Sequence, residues 1–158
     1  MVALGSLGRY RWLSGTSLVL LSADLTLNAL FQVFTYNHLL TLLIYIIQDV
    51  CLIFSLILLC LALFSTSYSQ AGLVGELVQR FLWCICNAVI YLGLSLGFHS
   101  WSLKEAWQKP DVYIWTHGMV ALFVVQRTVG CLHYHLYKKT ILQLSDKSFY
   151  STLAVAVY

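Results

Sequence analysis

Residues 39–64 read LLTLLIYIIQDVCLIFSLILLCLALF, an apolar run interrupted by one charged residue, Asp49, close to its middle. A run of this length and character is a membrane-spanning helix, because about 20 apolar residues in helical geometry cross the hydrocarbon core of a bilayer. A charge at the centre of such a span is expensive unless the protein supplies it with a partner. Two further apolar runs carry the same anomaly, with Asp24 in one and Arg127 in another.

The whole chain agrees with the membrane reading. It is 60% hydrophobic and 9% charged, whereas an ordinary soluble domain carries about 25% charge. The formal charge of +3 is small and scattered, which disfavours a nucleic-acid partner. The five cysteines all lie in apolar runs, an odd and buried set that does not describe a disulfide framework. Asn28, Asn37 and Asn87 all lack the hydroxyl residue two places on that a glycosylation sequon needs.

The expected fold class is all-α, a four-helix transmembrane bundle in a single domain. Its spans are predicted at about 12–34, 39–64, 81–101 and 112–137, followed by a short tail over 138–158. A tight turn is expected at 35–38, and polar connectors at 65–80 and 102–111. Arg9, Arg11, Arg80, Lys138, Lys139 and Lys147 fall on one side, against Lys104 and Lys109 on the other. The positive-inside rule then places both termini in the cytoplasm. Tyr10, Trp12, Trp83, Trp101, Trp107, Tyr113 and Trp115 lie near span ends, as an aromatic belt requires. A competing reading treats Arg9, Arg11, residues 12–21 and Leu21-Ser22-Ala23 as a cleaved signal peptide. Apolar residues continue beyond Asp24, which favours a retained first span.

Polar residues inside the spans recur at helical spacing. Asp24, Asn28 and Gln32 share one face of the first span. Tyr45 and Asp49, with Gln48 beside them, do so in the second, and Asn87, Tyr91, Ser95 and His99 in the third. The fourth carries Thr116, Gln126, Arg127 and Tyr134. Arg127 lies about 15 Å along the helix from Tyr137, too deep to snorkel easily. An ion pair between Arg127 and Asp49 is expected, with Asp24 as the alternative or third member. A carboxylate that Arg127 leaves unpaired is then expected to be protonated or bonded through Asn28, Gln48 or Tyr45. These charges suit either helix–helix glue or a small proton- or ion-coupled transporter or channel; their near balance favours glue.

Gly93-Leu94-Ser95-Leu96-Gly97 is a GxxxG motif, in which Gly93 and Gly97 permit close helix approach. It fits a contact inside the bundle, a homo-oligomer, or a contact with another membrane protein. Cys131, His133 and His135 are metal-ligand types, yet alternate residues of a helix point apart, and the same holds for Cys84 and Cys86. No metal site is therefore expected, and since no Ser-His-Asp set, phosphate loop or HExxH motif is present in the sequence, no cofactor or enzymatic activity is expected either.

Several short runs, in order, carry a resemblance. They are Ile46-Ile47-Gln48-Asp49, Gln70-Ala71-Gly72-Leu73-Val74, Ile114-Trp115-Thr116, Phe123-Val124, Gln126-Arg127 and Tyr137-Lys138, then Leu144, Asp146 and Phe149-Tyr150. Together they resemble the transmembrane protein 138 family over residues 17–150. The resemblance implies a small four-span protein required for cilium assembly, a scaffold or trafficking factor at the ciliary transition zone and on vesicle or vacuole membranes. It also implies an association with transmembrane protein 216. Asp49 and Arg127 carry over as family charges, and Gln70, Ala71, Gly72, Leu73 and Val74 become the candidate partner-binding loop. His117 departs from an expected acidic residue, and the ending 151–158 is short and apolar where the family tail is longer and basic.

Overall fold

The computed structural model describes residues 2–30, 38–64, 74–108 and 116–145. They form four helices: α1 (Val2–Leu30), α2 (His38–Phe64), α3 (Val74–Gln108) and α4 (His117–Ser145). The fold is all-α. Successive helices run antiparallel and close into a ring, α1 against α2, α2 against α3, α3 against α4, and α4 back against α1. Leu21 of α1, Leu59 and Leu63 of α2, Phe81 of α3 and Leu144 of α4 meet at the end of the bundle where α1 begins and α4 finishes. Tyr45, Phe98 and Met119 form a smaller cluster at the opposite end. Polar side chains occupy the layer between.

Three helices contain segments long and apolar enough to cross a bilayer: Trp12–Leu30, Leu39–Phe64 and Val78–Gln108. The outward face of α2 shows why, with Ile46, Ile47, Val50, Ile53, Phe54, Ile57 and Leu61 all exposed. In water such a face would drive aggregation; in a bilayer it is the solvated surface. At 29 residues α4 is also long enough to span. Its Gln126, Arg127, His133, Tyr134, His135, Lys138 and Lys139 dilute the apolar content that marks the other three.

The helix boundaries depart from expectation in an informative way. The third helix begins at Val74 and ends at Gln108, so both polar connectors flanking 81–101 are partly helical. At 1.5 Å per residue α3 is about 52 Å long, against a hydrocarbon core of about 30 Å. Its ends therefore project beyond the apolar layer. The first residues of the segment expected as a tail from 138 are helical, because α4 continues to Ser145. Ile141 and Leu144, each 2% exposed, pack against Leu59, Leu63 and Phe81. Helical phase explains this: Tyr137, Ile141 and Leu144 recur every three or four residues and extend the inward stripe of α4. The first helix runs unbroken through Leu21-Ser22-Ala23, and places Asp24 in the core. The tight turn expected at 35–38 falls almost wholly outside the described residues.

Ile141→Ala is expected to lower the stability of the full chain in nanodiscs by about 2 kcal/mol, measured as a thermal midpoint. Leu142→Ala, at a side chain 50% exposed, should leave it nearly unchanged.

Candidate functional site

The polar layer is organised around Asp24, which is 2% exposed. Three helices deliver hydrogen-bond donors to its carboxylate. Gln48 Nε2 of α2 donates to Oδ1 at 2.9 Å. The hydroxyls of Tyr91 in α3 and Tyr134 in α4 donate to Oδ2 at 3.0 and 2.7 Å. Asn28, one turn along α1, places its amide nitrogen 2.8 Å from the Tyr91 hydroxyl and 3.0 Å from that of Tyr134. Its side-chain oxygen accepts from Gln48 at 2.9 Å. The carboxylate is thus solvated by protein, and all four helices are tied to one group.

Arg127 joins this cluster by another route. Its Nη2 donates to the backbone carbonyl of Asn28 at 2.6 Å, and its guanidinium lies 4.9 Å from the centroid of the Phe123 ring. This bond ties α4 to α1 one turn along from Asp24.

Asp49 does not pair with Arg127. Its Oδ1 lies 2.8 Å from Nδ1 of His99, with the two side chains 19% and 4% exposed. The His99 ring stacks on Tyr45, with centroids 4.0 Å apart, and the Tyr45 hydroxyl donates to Ser102 at 3.1 Å. The expected Arg127–Asp49 pair fails for a reason of helix order. Gln48 points toward α1, and Asp49, about 100° further round the helix, turns toward α3. Arg127 sits on α4, diagonal to α2, and reaches its neighbour α1 instead. His99 belonged to the recognised stripe of α3, but periodicity names a face and not the side chain that meets it.

Further inward positions follow the predicted stripes. Tyr45, Gln48, Tyr91, Ser95 and Gln126 are buried, and Gln126 Nε2 donates to Ser95 at 3.2 Å. Gln32 lies outside the described residues. So do Gln70, Ala71, Gly72 and Leu73 of the candidate loop, while Val74 opens α3. Gly93 and Gly97 are exposed, and a Cβ built on either meets nothing within 4 Å. The contact inside the bundle is therefore not made by these glycines. Two glycines of α4 do permit a close approach: a Cβ at Gly130 would lie 3.1 Å from Cε2 of Tyr91, and one at Gly118 would lie 3.0 Å from Cη2 of Trp101. Cys131 and His135 are exposed while His133 is buried. Alternate residues on α4 thus face different surroundings.

Asp24→Leu is expected to cost about 3 kcal/mol or more, because it strands the buried donors of Gln48, Tyr91 and Tyr134. Asp24→Asn should cost less, since its amide oxygen still accepts. A double-mutant cycle on Asp49 and His99 should give a coupling of about 1–3 kcal/mol, and the Asp49–Arg127 cycle a clearly smaller one. Gly130→Val should destabilise by about 1–3 kcal/mol through displacement of the Tyr91 ring.

Comparison with known proteins places this bundle. The family described as Transmembrane protein 138 matches residues 41–155. A relative named Transmembrane protein 138 from Xenopus tropicalis is 36% identical over 143 residues, covering 90% of this chain and 88% of the relative. Relatives of the same name from Mus musculus and Danio rerio are 34% and 35% identical. They cover 90% and 84% of this chain, and 88% and 82% of their own lengths. No solved structure matches. The matched region spans the Gln48–Asp49 junction, Tyr91, His99, Arg127 and Tyr134 on the second to fourth helices, and the chain belongs to the transmembrane protein 138 family.

Proposed function

We propose that this protein is a non-enzymatic membrane scaffold or trafficking factor required for cilium assembly, acting at the ciliary transition zone and on vesicle or vacuole membranes. The observation that carries the proposal is family membership over most of the chain. All four helices cross the bilayer in this reading, and both termini face the cytoplasm, in keeping with the distribution of basic residues. Function then lies in recognition by the surfaces of the bundle and not in chemistry at its centre.

The polar layer is consistent with that division. Asp24, Asp49 and Arg127, the groups that a transport mechanism would use, are each engaged by a neighbouring helix. Their bonds cross between helices and fix the order and rotation of all four, which is what a rigid scaffold needs. Gly93 and Gly97 face outward on α3, where they offer a close approach to a helix of another membrane protein or of a second copy. Transmembrane protein 216 is the partner that the family resemblance suggests. Residues 70–74, which precede α3 in the sequence, are the second segment assigned to partner binding in this reading.

A tagged full-length chain expressed in ciliated cells is expected to concentrate at the ciliary base, and its depletion to reduce the number of ciliated cells. Gly93→Ile with Gly97→Ile should leave the thermal midpoint unchanged while reducing capture of membrane partners. Uniform distribution over the plasma membrane, with normal cilia after depletion, would refute the proposal. Proton or ion flux in proteoliposomes that is abolished by Asp49→Asn would replace it with the transport reading.

A further inference from the structure

Below the Asp24 carboxylate, toward the end of the bundle where α1 begins, lies a second polar layer with a different character. His133 of α4 is 3% exposed, and neither of its ring nitrogens has a hydrogen-bond partner among the described residues. Its ring is held between aromatics. It stacks on Tyr91, with centroids 5.0 Å apart, and lies 5.4 Å from the ring of Tyr137. The Tyr137 hydroxyl donates to the backbone carbonyl of Ser55 at 3.0 Å. The hydroxyls of Ser55 and of Ser17, which are 4% and 0% exposed, face the Tyr137 hydroxyl without a well-formed hydrogen bond. Asn87 Nδ2 of α3 is buried and unpaired as well.

Each of the four helices therefore contributes one polar side chain on this side of Asp24 whose hydrogen-bonding capacity is not filled by the protein, with His133 and Asn87 Nδ2 lacking any partner among the described residues. A neutral imidazole needs one acceptor for its N–H and one donor for its bare nitrogen, and each hydroxyl can both give and take. Leaving such groups unpaired in an apolar interior costs about 1–3 kcal/mol apiece. Four in one region is a large fraction of the stability of a small bundle. Metal ligation does not resolve the demand, since no group of three His, Cys, Asp or Glu side chains forms among the described residues. Serine hydroxyls, an amide and an imidazole together match a small neutral ligand that both donates and accepts, and water has that chemistry.

The geometry points to an internal hydration site in which water molecules bond to His133, Ser17 and Ser55, with Asn87 at its edge. The site lies between the Asp24 network and the apolar cluster of Leu59, Leu63, Phe81 and Leu144. Water here extends the hydrogen-bonded layer from Asp24 to Tyr137, and gives His133 the partners that its aromatic neighbours cannot.

Hydroxyl-radical footprinting of the full-length protein in nanodiscs tests this, because X-ray radiolysis of bound water oxidises the side chains beside it even when they are buried. His133 and Tyr137 are expected to label well above Tyr45, which is equally buried at the other end and bonded to Ser102. Labelling of Tyr137 should be lost in the variant Ser17→Ala, Ser55→Ala, His133→Phe. Labelling of His133 and Tyr137 at the rate of Tyr45 would overturn the site, and so would persistence of Tyr137 labelling in the triple variant. Should the variant fail to fold, the wild-type comparison alone decides.

Discussion

The bundle depends on one buried carboxylate. Asp24 receives donors from α2, α3 and α4 while sitting on α1, so that a single group specifies the order and rotation of four helices at once. In a bilayer this matters more than it would in water. Lipid tails are as apolar as the leucines and isoleucines of these helices, and apolar burial gives little preference for one packing over another. A carboxylate at that depth does discriminate, because arrangements that fail to solvate it are strongly disfavoured.

The two other central charges obey the same constraint with different partners. In a ring of four helices, α4 neighbours α1 and α3, while α2 lies diagonal to it. Arg127 therefore closes the seam between α4 and α1 through the Asn28 carbonyl, and Asp49 closes the seam between α2 and α3 through His99. The polar residues form a layered set: Asp24 and its donors in the middle, Ser95 with Gln126, and the His99–Asp49–Tyr45–Ser102 group toward the end where α2 begins and α3 finishes. Apolar clusters accompany this layer at either end. Tight contact is reserved for places such as Gly130 against Tyr91, where a glycine lets an aromatic ring reach the carboxylate.

The outside of the molecule has a separate logic. Its exposed large side chains are apolar along α2 and aromatic near the ends of the apolar segments of α1 and α3, with Trp12 and Trp83 strongly exposed. About 36 Å of helix separates Trp83 from Trp107, a span that places each ring near an interface of the bilayer. Gly93 and Gly97 interrupt this apolar surface with a shallow, small-residue strip. The same helix α3 thus serves the interior through Tyr91, Ser95 and His99 and the exterior through its glycines.

The sequence by itself determined the class of the protein and the faces of its helices. Runs such as 39–64 declare membrane helices by length and composition, and fourfold spacing marked Asp24 with Asn28 and Tyr91 with Ser95 and His99 as inward. Both are local properties, carried by residues within a few turns of one another. The partners were not local. Asp49 meets His99 and not Arg127 because neighbouring positions on α2 diverge by about 100°, and because the ring order sets α4 across from α2. The extension of α4 through Ile141 and Leu144 was equally hidden, since the basic pair Lys138 and Lys139 reads as the end of a span until Leu59 and Phe81 are seen to cover the next turns. Periodicity gives the direction in which a side chain points; only the packed bundle decides what stands there to receive it.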